Sequence, residues 1–141
     1  MDKSILAPAA VLIVWSIIML GWLAATRLPA MKKMGVDMSK TVGARGSDID
    51  PNVAPSVAWK SHNYAHLMEQ PTLFYATVFI IHLTATATPL LVWFAWGYVA
   101  LRVVHSLWQA TVNKVSIRFV LFLLSTICLA VLSVNALLAT I

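Results

Sequence analysis

Four long apolar runs, separated by polar stretches, account for most of the chain: residues 5–25, 57–83, 89–112 and 116–141. Each is near or above the roughly 20 residues that an α-helix needs to cross a bilayer. The pattern predicts an all-α membrane protein, a bundle of four transmembrane helices forming one domain over residues 1–141. The connections between the runs differ in kind. Residues 27–56 are polar, with glycines, prolines, bases and three aspartates. At about 30 residues this is long for a connection and reads as a functional or flexible loop. Thr84-Ala85-Thr86-Ala87-Thr88-Pro89 reads as a tight turn, and Asn113-Lys114 breaks the pattern before the last run. The first run is too long for a signal-peptide core of about 7–15 residues and reads as a retained helix.

Composition supports the membrane reading. Hydrophobic residues make up 60% of the chain and charged residues 11%, with a mean hydropathy of +0.84. A soluble domain carries roughly a quarter charged residues, so these charges are too few to cover a surface in water. The net charge of +5 does not point to nucleic acid, because the bases flank the apolar runs. Arg27, Lys32, Lys33, Lys40, Arg45, Lys60, Lys114 and Arg118 lie on or beside the first and third connections, whereas the opposite side has only Lys3. The positive-inside rule then places both termini on the non-cytoplasmic side. Trp22, Trp59 and Trp108 fall towards the cytoplasmic interface, and Trp93 and Trp96 towards the other. The single cysteine, Cys128, lies in an apolar run and allows neither a disulfide framework nor a Cys-based zinc site within one chain.

Ionisable and polar residues inside the apolar runs carry the candidate chemistry. His62, His66 and Glu69 recur at i, i+4, i+7 on one face of the second helix. Arg102, His105 and Gln109 recur at i, i+3, i+7 on one face of the third, extended by Tyr98. Counted from Thr86 in the short turn, Glu69 and Arg102 stand 17 and 16 residues away, His66 and His105 20 and 19, and His62 and Gln109 24 and 23. At about 1.5 Å per residue each pair lies at nearly one depth. A three-rung ladder is expected: Glu69 with Arg102, His66 with His105, His62 with Gln109. A lone charge at the membrane centre costs roughly 3 kcal/mol on insertion scales, so pairing is favoured. Such a ladder serves either function or helix association. Arg27 and Arg118 face the same cytoplasmic mouth, where they are either anion ligands or snorkelling anchors. His62, His66 and Glu69 also have a metal-ligand spacing, but pairing with Arg102 already accounts for Glu69, and no metal site is expected. Pro71 is expected to kink the second helix.

The run Asn63-Tyr64-Ala65-His66-Leu67-Met68-Glu69-Gln70-Pro71-Thr72-Leu73-Phe74, followed by Arg102-Val103-Val104-His105 and Arg118, resembles the MAPEG family, the membrane-associated proteins in eicosanoid and glutathione metabolism. The similarity runs from about Trp59 to Phe119. It implies a homotrimer with glutathione held between subunits near the cytoplasmic face. It also implies that Arg118 stabilises the glutathione thiolate, consistent with a cation favouring that form. Arg27, His62, His66, Glu69, Arg102, His105 and Gln109 are then the residues that bind the tripeptide. The chain departs from the family's second-helix pattern Arg-x-x-x-Asn-x-x-Glu, with His62 and His66 at the Arg and Asn positions, and Gln109 stands where many relatives carry tyrosine.

The expected function is that of a membrane-embedded, glutathione-dependent transferase or peroxidase acting on hydrophobic electrophiles. The compact chain without a targeting signal points to a bacterial-type member in the inner membrane. A non-catalytic trimer binding a lipid or anionic metabolite in the same pocket is the main alternative, and a small exporter is a third. The residues by themselves leave open whether the chain is an enzyme.

Overall fold

A computed structural model describes residues 3–141, which are helical apart from turns and one loop. The helices are α1 (Leu6–Lys33), the single turn α2 (Gly46–Ile49), α3 (Pro55–Leu67), α4 (Gln70–Leu83), α5 (Pro89–Thr111) and α6 (Val115–Leu138), with a 3₁₀ turn at Asp50–Asn52. Three of them, α1, α5 and α6, are long and apolar enough to cross a membrane.

The first helix continues past the expected end near residue 25 to Lys33, carrying Pro29 inside it. It stops at Gly35, whose φ of 72° is the left-handed conformation that glycine adopts without a Cβ penalty. There Gly35 N–H bonds to the Lys32 carbonyl and Val36 N–H to the Met31 carbonyl, the paired closure that satisfies the last helical carbonyls. The same closure ends α4, where Ala85 N–H reaches His82 O and Thr86 N–H reaches Ile81 O. At that end the left-handed residue is Ala85, with φ of 55°. Thr88 then caps α5, its hydroxyl accepting from Leu91 N–H at 3.3 Å, and Pro89 occupies the first turn, where a missing N–H costs nothing.

The apolar run over 57–83 is not one helix. It starts at Pro55 and breaks at Met68–Glu69, and Glu69 takes φ −88° and ψ −98°. Pro71 explains the break. It has no N–H for the Leu67 carbonyl, and its ring disfavours helical geometry in the preceding residues. The kink expected at Pro71 is therefore a full interruption, after which Pro71 sits in the first turn of α4. Residues 68–69 carry the change of direction.

The core lies between α5 and the remaining helices. Tyr98 is fully buried and stacks on Phe74 of α4, with ring centroids 4.4 Å apart. Leu12, Leu67, Val78, Ile81, Ala95 and Leu132 fill the layer around that stack. α6 packs along α5 and α4, and α1 along α3, α5 and α4. Gly97 faces α6 with room to spare: a Cβ there would make ordinary contact with Cys128 Sγ at 3.6 Å. Many outward side chains are large and apolar, including Ile17, Leu73, Trp93, Phe119, Val120 and Ile127. In water such a surface would aggregate; it suits hydrocarbon or another apolar protein surface.

Candidate functional site

A cleft of about 190 Å³ opens between α3, α5 and the start of α6, lined by His66, His105, Val115, Arg118, Phe119 and Phe122. Three of its six lining residues are ionisable groups expected from the sequence, on three different helices: His66 and His105 from their spacing, and Arg118 from its place at the mouth. Arg118 is held in place by its own helix start: its Nη1 donates to Asn113 Oδ1 at 2.7 Å. Its Nε is buried and has no hydrogen-bond partner.

Arg102 backs the cleft from α5 and is fully buried. Its Nη2 donates to the His66 carbonyl at 3.0 Å, and its Nη1 lies 3.4 Å from His66 Nε2. The break in the helix accounts for the first contact. A carbonyl that loses its place in the regular ladder needs other donors; the guanidinium supplies one, beside a long bond from Glu69 N–H at 3.4 Å. The guanidinium carbon also lies 5.9 Å from the centre of the Phe122 ring. Arg102 Nε has no partner, and none of the ion pairs among the described residues includes Arg102 or Arg118.

The first expected rung therefore does not form as drawn. Glu69 does not pair with Arg102; its Oε2 lies 2.8 Å from His66 Nδ1. The interruption at Glu69 turns the carboxylate outward, leaving its side chain 67% exposed, and His66 stands between acid and base. The second rung appears as a ring contact, His66 and His105 having centroids 5.0 Å apart. The third does not form: His62 Nε2 meets Asp50 Oδ2 at 3.1 Å. Gln109 is buried, and its Oε1 has no partner.

Asp50 organises a separate cluster beneath the loop. It forms an ion pair with Arg27 Nη1 at 3.0 Å as well as meeting His62, and Arg27 Nη2 also donates to the Gly46 carbonyl. Arg27 and His62 thus tie the loop to α1 and α3, and neither lines the cleft with Arg118. Asp50 went unnoticed in the sequence because it is one of three aspartates in a loop without pattern. Phe122 and Asn113 were also missed. An aromatic residue in an apolar helix and an asparagine at a break carry no signal of a site.

Deeper in the bundle a polar thread continues from the cleft. Tyr98 Oη donates to Gln70 Oε1 at 3.4 Å, and Gln70 Nε2 donates to Thr126 Oγ1 at 2.9 Å. Thr126 in turn donates to the Phe122 carbonyl at 2.7 Å. These bonds link α4, α5 and α6, about one turn from Arg102 along α5 and two from Arg118 along α6. In an apolar medium each also fixes the position of its neighbour.

No curated protein and no solved structure matches the chain. The MAPEG family model matches residues 5–138, nearly its whole length. With a bundle of apolar helices, an arginine at the start of α6 and a histidine–arginine cleft behind it, the chain is an integral membrane protein and belongs to the MAPEG family.

Proposed function

We propose that the protein is a glutathione-dependent transferase or peroxidase acting on hydrophobic electrophiles, with the tripeptide thiol seated in the cleft at Arg118. The observation that carries this reading is the pair of guanidiniums at one cleft, the fully buried Arg102 behind it and the half-buried Arg118 in its lining, each with an unpartnered Nε and, among the described residues, no ion-pair partner. A buried cation without a counter-charge is costly, and an anionic ligand supplies that charge through short, charge-assisted hydrogen bonds. A thiol beside Arg118 is favoured as thiolate, the nucleophilic form.

The reading extends to four membrane spans, with α3 and α4 together forming the second, and to termini on the non-cytoplasmic side of a bacterial inner membrane. It includes a homotrimer. The cleft in one chain, about 190 Å³, is smaller than the roughly 300–1,000 Å³ of ordinary ligand sites. It accommodates the thiol end of a tripeptide and needs a further wall from a neighbouring copy. The apolar outer helix faces fit both the neighbour and the approach of a membrane-dissolved electrophile.

The test is thermal unfolding of detergent-purified protein with and without glutathione, in wild type and Arg118→Ala. A ligand that binds only the folded state stabilises it by about 2.7 kcal/mol at a hundredfold excess over Kd. A shift in wild type that disappears in Arg118→Ala supports the reading. No shift in wild type, together with a co-purifying lipid or metabolite in native mass spectrometry, replaces it with a binding protein for another anion.

A further inference from the structure

The proton of the thiol needs an acceptor, and the cleft contains one whose orientation is fixed by its partners. Arginine has only donors, so the Arg102 Nη1 contact with His66 Nε2 requires that nitrogen to carry the lone pair. The hydrogen of the neutral ring then sits on Nδ1, where it points at Glu69 Oε2, 2.8 Å away. The Nε2 contact is long, 3.4 Å, outside the usual range of about 2.7–3.2 Å. The lone pair is therefore only weakly engaged by Arg102, and His66 lines the cleft that a closer donor would enter. His105 lacks this arrangement: it touches the His66 ring, but among the described residues no carboxylate pairs with it.

We propose that Glu69 and His66 form a carboxylate–imidazole dyad that acts as general base towards the thiol, with Arg118 facing the sulfur. This deepens the proposed function and rests on a thiol ligand in the cleft. In the step, the S–H bond breaks and an Nε2–H bond forms on His66. The electron pair stays on sulfur, opposite the Arg118 guanidinium. The Glu69 carboxylate offsets the positive charge gained by the ring through the Nδ1 hydrogen bond. The proton later leaves with the departing group of the electrophile or passes to water.

The roles of the two cations differ from that of the base. Arg118 and Arg102 carry their charge before and after the step and lower the energy of the anion. Only His66 changes its number of protons. Glu69 acts through His66 and is a positioning residue. Its position at the interruption, within three residues of His66, lets its carboxylate bend back onto the ring.

Four proteins separate these roles: full-length wild type, His66→Asn, His66→Ala and Glu69→Gln, all in detergent. Asparagine keeps polarity and approximate size without a basic nitrogen, and Glu69 is exposed enough for glutamine to leave the fold intact. Glutathione binding is measured by titration calorimetry, and thiolate formation by stopped-flow ultraviolet absorbance across pH. The expected result is binding within a few-fold of wild type in every variant. Thiolate formation slows by about 100-fold in the His66 variants and about 10-fold in Glu69→Gln, within the span of general-base effects. Added imidazole restores the rate in His66→Ala, which a structural role would not allow. Wild-type rates in His66→Asn with binding intact overturn the dyad and leave the transferase reading standing. Loss of binding in His66→Asn and His66→Ala, with no rescue by imidazole, makes His66 a ligand contact and overturns the base. Absence of glutathione binding to wild type overturns both proposals together.

Discussion

Arg118 is aimed by Asn113: the guanidinium Nη1 donates to Asn113 Oδ1 at 2.7 Å, while the asparagine backbone turns through φ 58° to join α5 to α6. One residue thus makes the turn and orients the cation. Substitution by glycine separates the two tasks, because glycine adopts positive φ freely and offers no side-chain oxygen. Asn113→Gly is expected to change unfolding stability by less than about 1 kcal/mol and to weaken glutathione binding by about 10-fold, near the worth of one charge-assisted hydrogen bond. Calorimetry and thermal melts on the same sample read both effects.

Arg102 poses a contest between two costs. Its removal leaves the His66 carbonyl with only the long bond from Glu69 N–H at 3.4 Å, a loss of about 1 kcal/mol. It also removes a fully buried cation that has no ion-pair partner among the described residues, and holding one ion out of water costs several kcal/mol. The second effect is the larger. Arg102→Met is therefore expected to melt no lower than wild type without ligand, and to lose most of the stabilisation that ligand gives. A variant that unfolds well below wild type would show that the guanidinium is primarily a brace for the broken helix.

Ala85 occupies the left-handed closing position of α4 with φ 55°, where a Cβ costs roughly 1–2 kcal/mol. Ala85→Gly removes that strain at the expense of some chain entropy in the unfolded state. A net gain of about 1 kcal/mol is expected, seen as a rise in melting temperature of about 2–4 °C, with ligand binding unchanged.

Asp50 holds the loop to the bundle, and both partners in its ion pair with Arg27 are largely shielded, with side chains 14% and 11% exposed. Asp37 lies in the same loop, but among the described residues its hydrogen-bond and ion-pair partners are its near neighbours Ser39, Lys40 and Thr41. Asp50→Ala is expected to speed tryptic cleavage at Lys40 and Arg45 several-fold and to cost about 1–2 kcal/mol. Asp37→Ala serves as the control and leaves cleavage near the wild-type rate. Equal cleavage in both variants would mean that the loop is held by something other than Asp50.

Much of this site is legible in the chain because helices translate sequence spacing into depth. The spacing of His66 and Glu69 on one helix and Arg102 and His105 on another placed these four residues on two adjacent rungs, and His66 and His105 do touch. The pairing of Glu69 was not legible, because counting residues assumes a straight helix. Proline at 71 interrupts the helix at Glu69, so the acid turns outward and reaches histidine before arginine. His62 was assigned to Gln109 on the same assumption. Its partner is Asp50, in a loop whose path no periodicity describes. The length of α1 was underestimated because bases after residue 26 read as loop, although charged side chains continue a helix readily beyond an apolar run.

The five-residue turn between α4 and α5 lies at the opposite end of the bundle from every residue of the cleft, yet it sets the register of the cleft. His66 meets His105 because nearly equal lengths of chain lead away from Thr86 on either side. One residue inserted into that turn would slide one helix by about 1.5 Å and rotate it by about 100° relative to the other, carrying a histidine off its partner. The turn is a ruler, and its tolerance for insertion is bounded by chemistry at the far end of the bundle.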